Sequence, residues 1–194
     1  MNLHPKNADM QAHHSMYHVS RKHEAGNEHY ALTEKAVGHL IIRIPEKNLK
    51  TAAKAIKSVT KLAIPKTLEA TSNKDFSLFW LSPDELLLIT PEKTEADIED
   101  KLRDKMEGHF AIVDVTGGQT LLELSGERAE TILKKSTIYD VHESNFPIGK
   151  VVTTKFAQSQ IIMTRVSADG FQLIVRRSFS DYIWQWMVDA GSRV

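Results

Sequence analysis

Apolar residues along the chain recur at two periods, and the switches between them mark its elements. Residues 39–44 form a β-branched, apolar run closed by Pro45, which predicts a strand. Asn48 is then placed to cap a helix in which Leu49, Ala52, Ala53, Ile56, Val59 and Thr60 share one face, while Lys50, Lys54, Lys57 and Lys61 form a stripe on the other. Two apolar runs, 75–81 and 85–90, are separated by Ser82-Pro83-Asp84 and predict a β-hairpin. Thr94, with Asp97 three residues on, opens a second helix carrying Ile98, Leu102 and Met106 and stopped by Gly108.

Residues 110–116 and 119–124 are apolar runs joined by Gly117-Gly118, which predicts a tight hairpin, since two glycines can supply its positive φ values. With strands on both sides, a phosphate cradle at these glycines is the weaker reading. Ser125 stands where an N-cap would lie ahead of a short helix bearing Ala129, Ile132 and Leu133 and ending at Lys134-Lys135. After an irregular stretch around 145–149, residues 150–157, 160–166 and 171–176 predict three more strands, the last pair turned by Asp169-Gly170. Ser178 and Asp181 open a final helix, on which Phe179, Tyr182, Ile183, Trp186, Met187 and Ala190 form the predicted core face. Trp184 and Val188 fall off that face, covered either by a loop of the same chain or by a partner, which makes them the candidate partner interface. The sum is an α+β fold, a largely antiparallel sheet built from hairpins with covering helices, without a sequence repeat.

Composition narrows the role. The 194 residues are 41% hydrophobic and 26% charged, enough for one domain with a real core. Residues 1–35 hold six of the nine histidines and few large aliphatic residues, so they are expected to be a polar tail, mobile or docked on a partner, ahead of a single domain at 36–194. Equal numbers of basic and acidic residues, 25 of each, argue against nucleic acid as a partner. The lack of an 18-residue apolar run argues against a membrane span, and the polar start argues against a secretory signal. Without cysteine there is no disulfide, thiolate ligand or thiol nucleophile. A cytoplasmic protein is expected.

Chemical motifs are scarce. The glycine patterns of dinucleotide and P-loop sites are absent, as are the Gly-x-Ser-x-Gly elbow and the His-Glu-x-x-His pair. His14 and His18, with His13 or His23, have a spacing that suits a metal but no matching carboxylate, and a polar tail is the better reading. His39, His109 and His142 stand apart from any Ser or acidic residue at a diagnostic spacing. No catalytic, cofactor-binding or metal residue is assigned.

Three stretches do carry a resemblance: residues 114–129 (Asp-Val-Thr-Gly-Gly-Gln-Thr-Leu-Leu-Glu-Leu-Ser-Gly-Glu-Arg-Ala), Phe146-Pro147-Ile148-Gly149, and residues 177–186 (Arg-Ser-Phe-Ser-Asp-Tyr-Ile-Trp-Gln-Trp). In order and spacing the chain resembles the gamma subunit of heterotetrameric sarcosine oxidase over roughly residues 38–190, with Trp80-Leu81-Ser82-Pro83-Asp84-Glu85 similar to that family's aromatic hairpin. That family looks like a small relative of the folate-binding N-terminal domain of aminomethyltransferase, the T-protein of glycine cleavage. The transferase's Gly-Gly turn and following acidic residue are missing, because Ala157-Gln158-Ser159-Gln160 stands there, and glutamine cannot act as a base.

The resemblance implies a non-catalytic, structural subunit bound to the large alpha subunit and the other subunits of a complex. That complex demethylates sarcosine oxidatively to glycine, passing the one-carbon unit to tetrahydrofolate and producing hydrogen peroxide. FAD, FMN, NAD, tetrahydrofolate and zinc are then expected on the partner subunits, none on this chain. Two alternatives are a free-standing folate-binding or one-carbon transfer protein, and the equivalent subunit of an N-methylglutamate dehydrogenase type complex.

Overall fold

The computed structural model describes residues 24–194. Along the chain run β1 (Glu24–Gly26), β2 (Ala31–Lys35), β3 (Val37–Arg43), α1 (Leu49–Thr60), β4 (Ala70–Ser72), β5 (Ser77–Ser82), β6 (Glu85–Pro91), α2 (Glu95–Lys105), β7 (Ala111–Asp114), β8 (Gln119–Ser125), α3 (Ala129–Lys134), β9 (Val151–Phe156), β10 (Ser159–Arg165), β11 (Gly170–Arg176) and α4 (Ser180–Gly191). The strands make two antiparallel sheets, one six-stranded in the order β1-β2-β8-β11-β10-β9 and one five-stranded in the order β4-β5-β6-β3-β7.

The sheets stack face to face, with a pair of helices over each outer surface. Between them lie Phe79, Leu87 and Ile89 from one sheet and Leu121, Val151 and Ile174 from the other. Leu122, Leu124 and Leu173 point outward onto Ile132 and Leu133 of α3 and Ile183 and Met187 of α4. Leu40, Ile42 and Leu88 meet Ala52 and Ile56 of α1 and Leu102 of α2. Central strands are thus buried on both faces, which is why they read as continuous apolar runs rather than alternating ones.

Two successive units of the same topology build this arrangement. The first is β2-β3-α1-β4-β5-β6-α2 and the second β7-β8-α3-β9-β10-β11-α4, and each unit lends its first strand to the other's sheet. β2 pairs with β8, Leu32 opposite Leu124, and β7 pairs with β3, Ile112 opposite Ile42. The chain therefore crosses between sheets twice, at Ala36 and at residues 115–118.

The second crossing corrects the expected Gly-Gly hairpin. β7 does not pair with β8, and Thr116–Gly118 forms a 3₁₀ turn in which the Asp114 carboxylate accepts from the Thr116 N–H and the Val115 carbonyl accepts from Gly118. Neither glycine has a positive φ. Local closure would have paired these two strands with each other, but separate sheets bury both of them against more apolar surface.

The tail boundary also moves. Residues 24–35 belong to the six-stranded sheet, with Leu32 fully buried and Tyr30 nearly so, whereas residues 1–23 and the histidines at 4, 13, 14, 18 and 23 lie outside the described residues. The sparse apolar side chains of this stretch suffice because the rest of the chain leaves room for them. Gly126 has φ +113°, and a Cβ there would come within 2.5 Å of the His29 carbonyl; a Cβ on Gly191 would lie 2.3 Å from the Tyr30 ring. Ser125 is accordingly the end of β8 rather than a helix cap, and α3 starts at Ala129. Asn48 does not cap α1 through its side chain either; its Nδ2 donates to the His109 carbonyl at 2.8 Å.

Phe146-Pro147-Ile148-Gly149 fastens the far edges of the sheets. Phe146 is fully buried and stacks on Phe171 at 6.2 Å. Gly149, at φ +84°, donates to the Arg165 carbonyl and accepts from the Ala70 N–H, joining β10 to β4. Arg165, 2% exposed, lies 4.7 Å from the Phe171 ring centroid and donates to the Ala168 and Val141 carbonyls and to Glu130 Oε2. Hydrogen bonds from Lys134 and Arg165 hold the Glu130 carboxyl below the usual carboxylate range.

His39, on β3, is 1% exposed, and neither ring nitrogen has a hydrogen-bond partner among the described residues. Burial lowers its pKa from 6.5 to about 4, against the opposing pull of the Asp114 carboxylate. The folded state thus refuses a proton that the unfolded chain accepts below pH 6.5, so stability falls as the pH drops from 6.5 towards 4. The expected loss is about 3 kcal/mol, measured by urea unfolding across that window, and His39→Leu should flatten the slope.

Candidate functional site

α4 sits on the sheet through a different flank from the one its periodicity suggests. Ile183, Met187 and Ala190 are buried as expected, but they are joined by Ser180, Trp184 and Gly191, not by the aromatic residues. Trp184 is only 4% exposed and Val188 packs against the same cluster, so neither forms a partner interface; both are held by their own chain. Phe179, Tyr182 and Trp186 instead remain 41%, 37% and 38% exposed. The small residues decide between the flanks. Only the side bearing Gly191 can accept the Tyr30 ring, and Gly191 and Ser180 were the signals available in the sequence for this rotation.

The exposed aromatic residues form a row along α4. Tyr182 and Trp186 have ring centroids 6.0 Å apart, and Trp186 Nε1 donates to Ser136 Oγ at 3.1 Å just beyond α3. Two residues further, Ile138 is 91% exposed. At the other end of the row, the turn at Arg177–Phe179 packs against the Thr116–Gly118 crossing.

A cavity of about 340 Å³ opens between the sheets, its wall including Ile41, Gln119, Gln160, Ile162, Arg176 and Glu85. Glu85 is the one carboxylate on that wall, and its Oε2 accepts from Arg43 Nε and NH2, each at 2.7 Å. The remaining polar side chains there are amides, hydroxyls and a guanidinium. The cavity presents no free carboxylate with which to hold a pterin or take a proton, so its residues do not fit folate chemistry of the kind the transferase resemblance implied.

The other histidines serve local structure. His29 Nδ1 lies 2.8 Å from Glu127 Oε1, clipping the β1–β2 loop to the turn before α3. His142 Nδ1 lies 2.9 Å from Ser144 Oγ, but Asp140 accepts from the His142 backbone N–H rather than from its ring, so the three make a surface turn and not a relay. Among the described residues no group of three or more His, Asp or Glu side chains is placed to hold a metal ion. No helix among them is long and apolar enough to cross a membrane.

Comparison with known proteins adds a family. Residues 46–193 match the model described as "Sarcosine oxidase, gamma subunit family". The sarcosine oxidase subunit gamma of Corynebacterium sp. (strain P-1) is 31% identical over 125 residues, 63% of this chain and 60% of that protein. The Arthrobacter sp. subunit gamma is 28% identical over 115 residues, 59% of this chain and 56% of that protein. The matched stretch thus spans less than two thirds of those relatives' length. Among solved structures, a chain of the heterotetrameric sarcosine oxidase from Corynebacterium sp. U-96, in complex with pyrrole 2-carboxylate, superposes with a TM-score of 0.83 at 24% identity, covering 94% of this chain and 95% of that one. The glycine cleavage system aminomethyltransferase T from Bartonella henselae gives 0.61 at 12% identity, over 84% of this chain and 46% of that one, so the fold is shared with both.

The two tryptophans of α4 should respond oppositely to truncation. Trp184→Ala should cost about 3–5 kcal/mol in urea unfolding, and Trp186→Ala less than about 1 kcal/mol. In acrylamide quenching, removal of Trp186 should take away the more accessible emission.

Proposed function

This chain belongs to the sarcosine oxidase, gamma subunit family, and from that membership we propose that it is a non-catalytic, structural subunit of a heterotetrameric, cytoplasmic sarcosine oxidase complex. The complex removes two electrons and two protons from the N-methyl group of sarcosine, delivers them to oxygen as hydrogen peroxide, and passes the one-carbon unit to tetrahydrofolate, leaving glycine. FAD, FMN, NAD, tetrahydrofolate and zinc are held by the other subunits, the large alpha subunit among them, and this chain binds and stabilises that subunit.

The family match over residues 46–193 carries this reading. The inter-sheet cavity supports it, because its one carboxylate is tied to Arg43 and its glutamines can neither donate nor accept a proton as acid or base. His39, a histidine in the middle of the fold, is buried away from any substrate.

Coexpression of the tagged chain with the three candidate partner subunits tests the proposal. The expected product is a yellow, four-subunit complex that forms hydrogen peroxide from sarcosine, with an alpha subunit that is less stable when this chain is omitted. A tagged chain that elutes alone and colourless would overturn it.

A further inference from the structure

We infer that the Thr116–Gly118 crossing and the exposed row Phe179, Tyr182 and Trp186 form one docking surface for an acidic, apolar-bearing segment of a partner subunit, an inference that rests on the structural-subunit reading above. Two independent features meet there, and neither has a purpose within the chain.

The first is the pair of glycines. Other glycines have visible reasons: Gly126 has φ +113° and lies under the His29 carbonyl, and Gly191 lies under the Tyr30 ring. Gly117 and Gly118 have no positive φ, and a Cβ on either would meet nothing within 4 Å. Neither backbone conformation nor internal packing requires a bare main chain at this point. A backbone left bare and exposed is suited to close approach by another molecule.

The second feature is the row of rings with its cationic head. Three aromatic side chains in a row are more than a third exposed, and tryptophan and tyrosine are the residues that carry most energy when an interface covers them. Arg176 and Arg177, both exposed, precede the row, and neither guanidinium makes an ion pair among the described residues. Arg177 lies immediately before the N-terminus of α4, where the helix dipole disfavours a cation, whereas Asp181 in the first turn is favoured by the same dipole. The charge left uncompensated is therefore positive, and a carboxylate on the partner complements it. The Thr116–Gly118 and Arg177–Phe179 turns are in contact, so one segment can pass over the glycines, place an acid at Arg177 and lay an apolar side chain on the rings.

The test uses the coexpressed complex and reads two things for each variant, the melting temperature of the isolated chain and its capture of the partner subunits. Gly118→Leu should leave melting unchanged, having no neighbour to strike, yet weaken capture by at least about tenfold. Arg177→Glu, a change at an exposed side chain, should keep the fold and weaken capture with a reduced salt dependence. In the wild-type complex, Trp186 emission should become shielded from acrylamide. Both variants captured as well as wild type, with Trp186 still quenchable in the complex, would overturn the docking surface and leave the subunit reading standing. A wild-type chain that captures nothing would overturn the subunit reading and this surface with it.

Discussion

The exchange of first strands between the two halves of the chain is the constraint on which the rest of the structure depends. β2 completes the sheet built by the second unit, and β7 the sheet built by the first. Neither sheet is whole until residues far apart in sequence have met, and the two crossings, with Phe79, Leu87, Leu121 and Ile174 between the sheets, bind the halves into one body. The turns around the crossings follow from it. His29 and Tyr30 close over Gly126 and Gly191 because β2 must lie beside β8, and Gly149 joins β10 to β4 at the opposite edge.

The sequence made local structure plain and left its partners hidden. Helices α1, α2 and α4 and the hairpin of β5 and β6 follow from period and turn chemistry, which depend on neighbours in sequence. Which strand pairs with which does not. The run around Gly117-Gly118 satisfies every local rule for a hairpin, and only burial on both faces of two sheets sends β7 and β8 apart. Residues 24–35 look too polar to fold because their few apolar side chains, Tyr30 and Leu32, are received by space that distant glycines leave open. The α4 arc was right in its centre and wrong in its flank. Hydrophobicity favours the side with Phe179 and Trp186, but close approach needs the side with Gly191.

The same geometry shapes what the chain can do. Its stacked sheets spend their polar side chains on structure: Arg165 on carbonyls, Glu130 and an aromatic face, Glu85 on Arg43, and Glu34 on the Thr120 hydroxyl. What lies on the surface is apolar and cationic rather than catalytic, in keeping with a member of the sarcosine oxidase gamma subunit family whose work is done by contact. The Asp-Val-Thr-Gly-Gly, Ser-Gly-Glu-Arg-Ala and Phe-Pro-Ile-Gly stretches divide accordingly. The last two are explained by internal packing, and the first only in part.

The central claim, that strand exchange makes the two sheets a single cooperative unit, is tested most directly with one tryptophan in each half. Trp80 packs beneath the five-stranded sheet's helices and Trp184 beneath those of the six-stranded sheet. Variants that keep only one of them, unfolded in urea and followed by fluorescence and far-ultraviolet circular dichroism together, should each show coincident transitions. A Trp80 transition separated from the circular dichroism of its own variant, or the same for Trp184, would mean that one sheet persists without the other and would contradict the account.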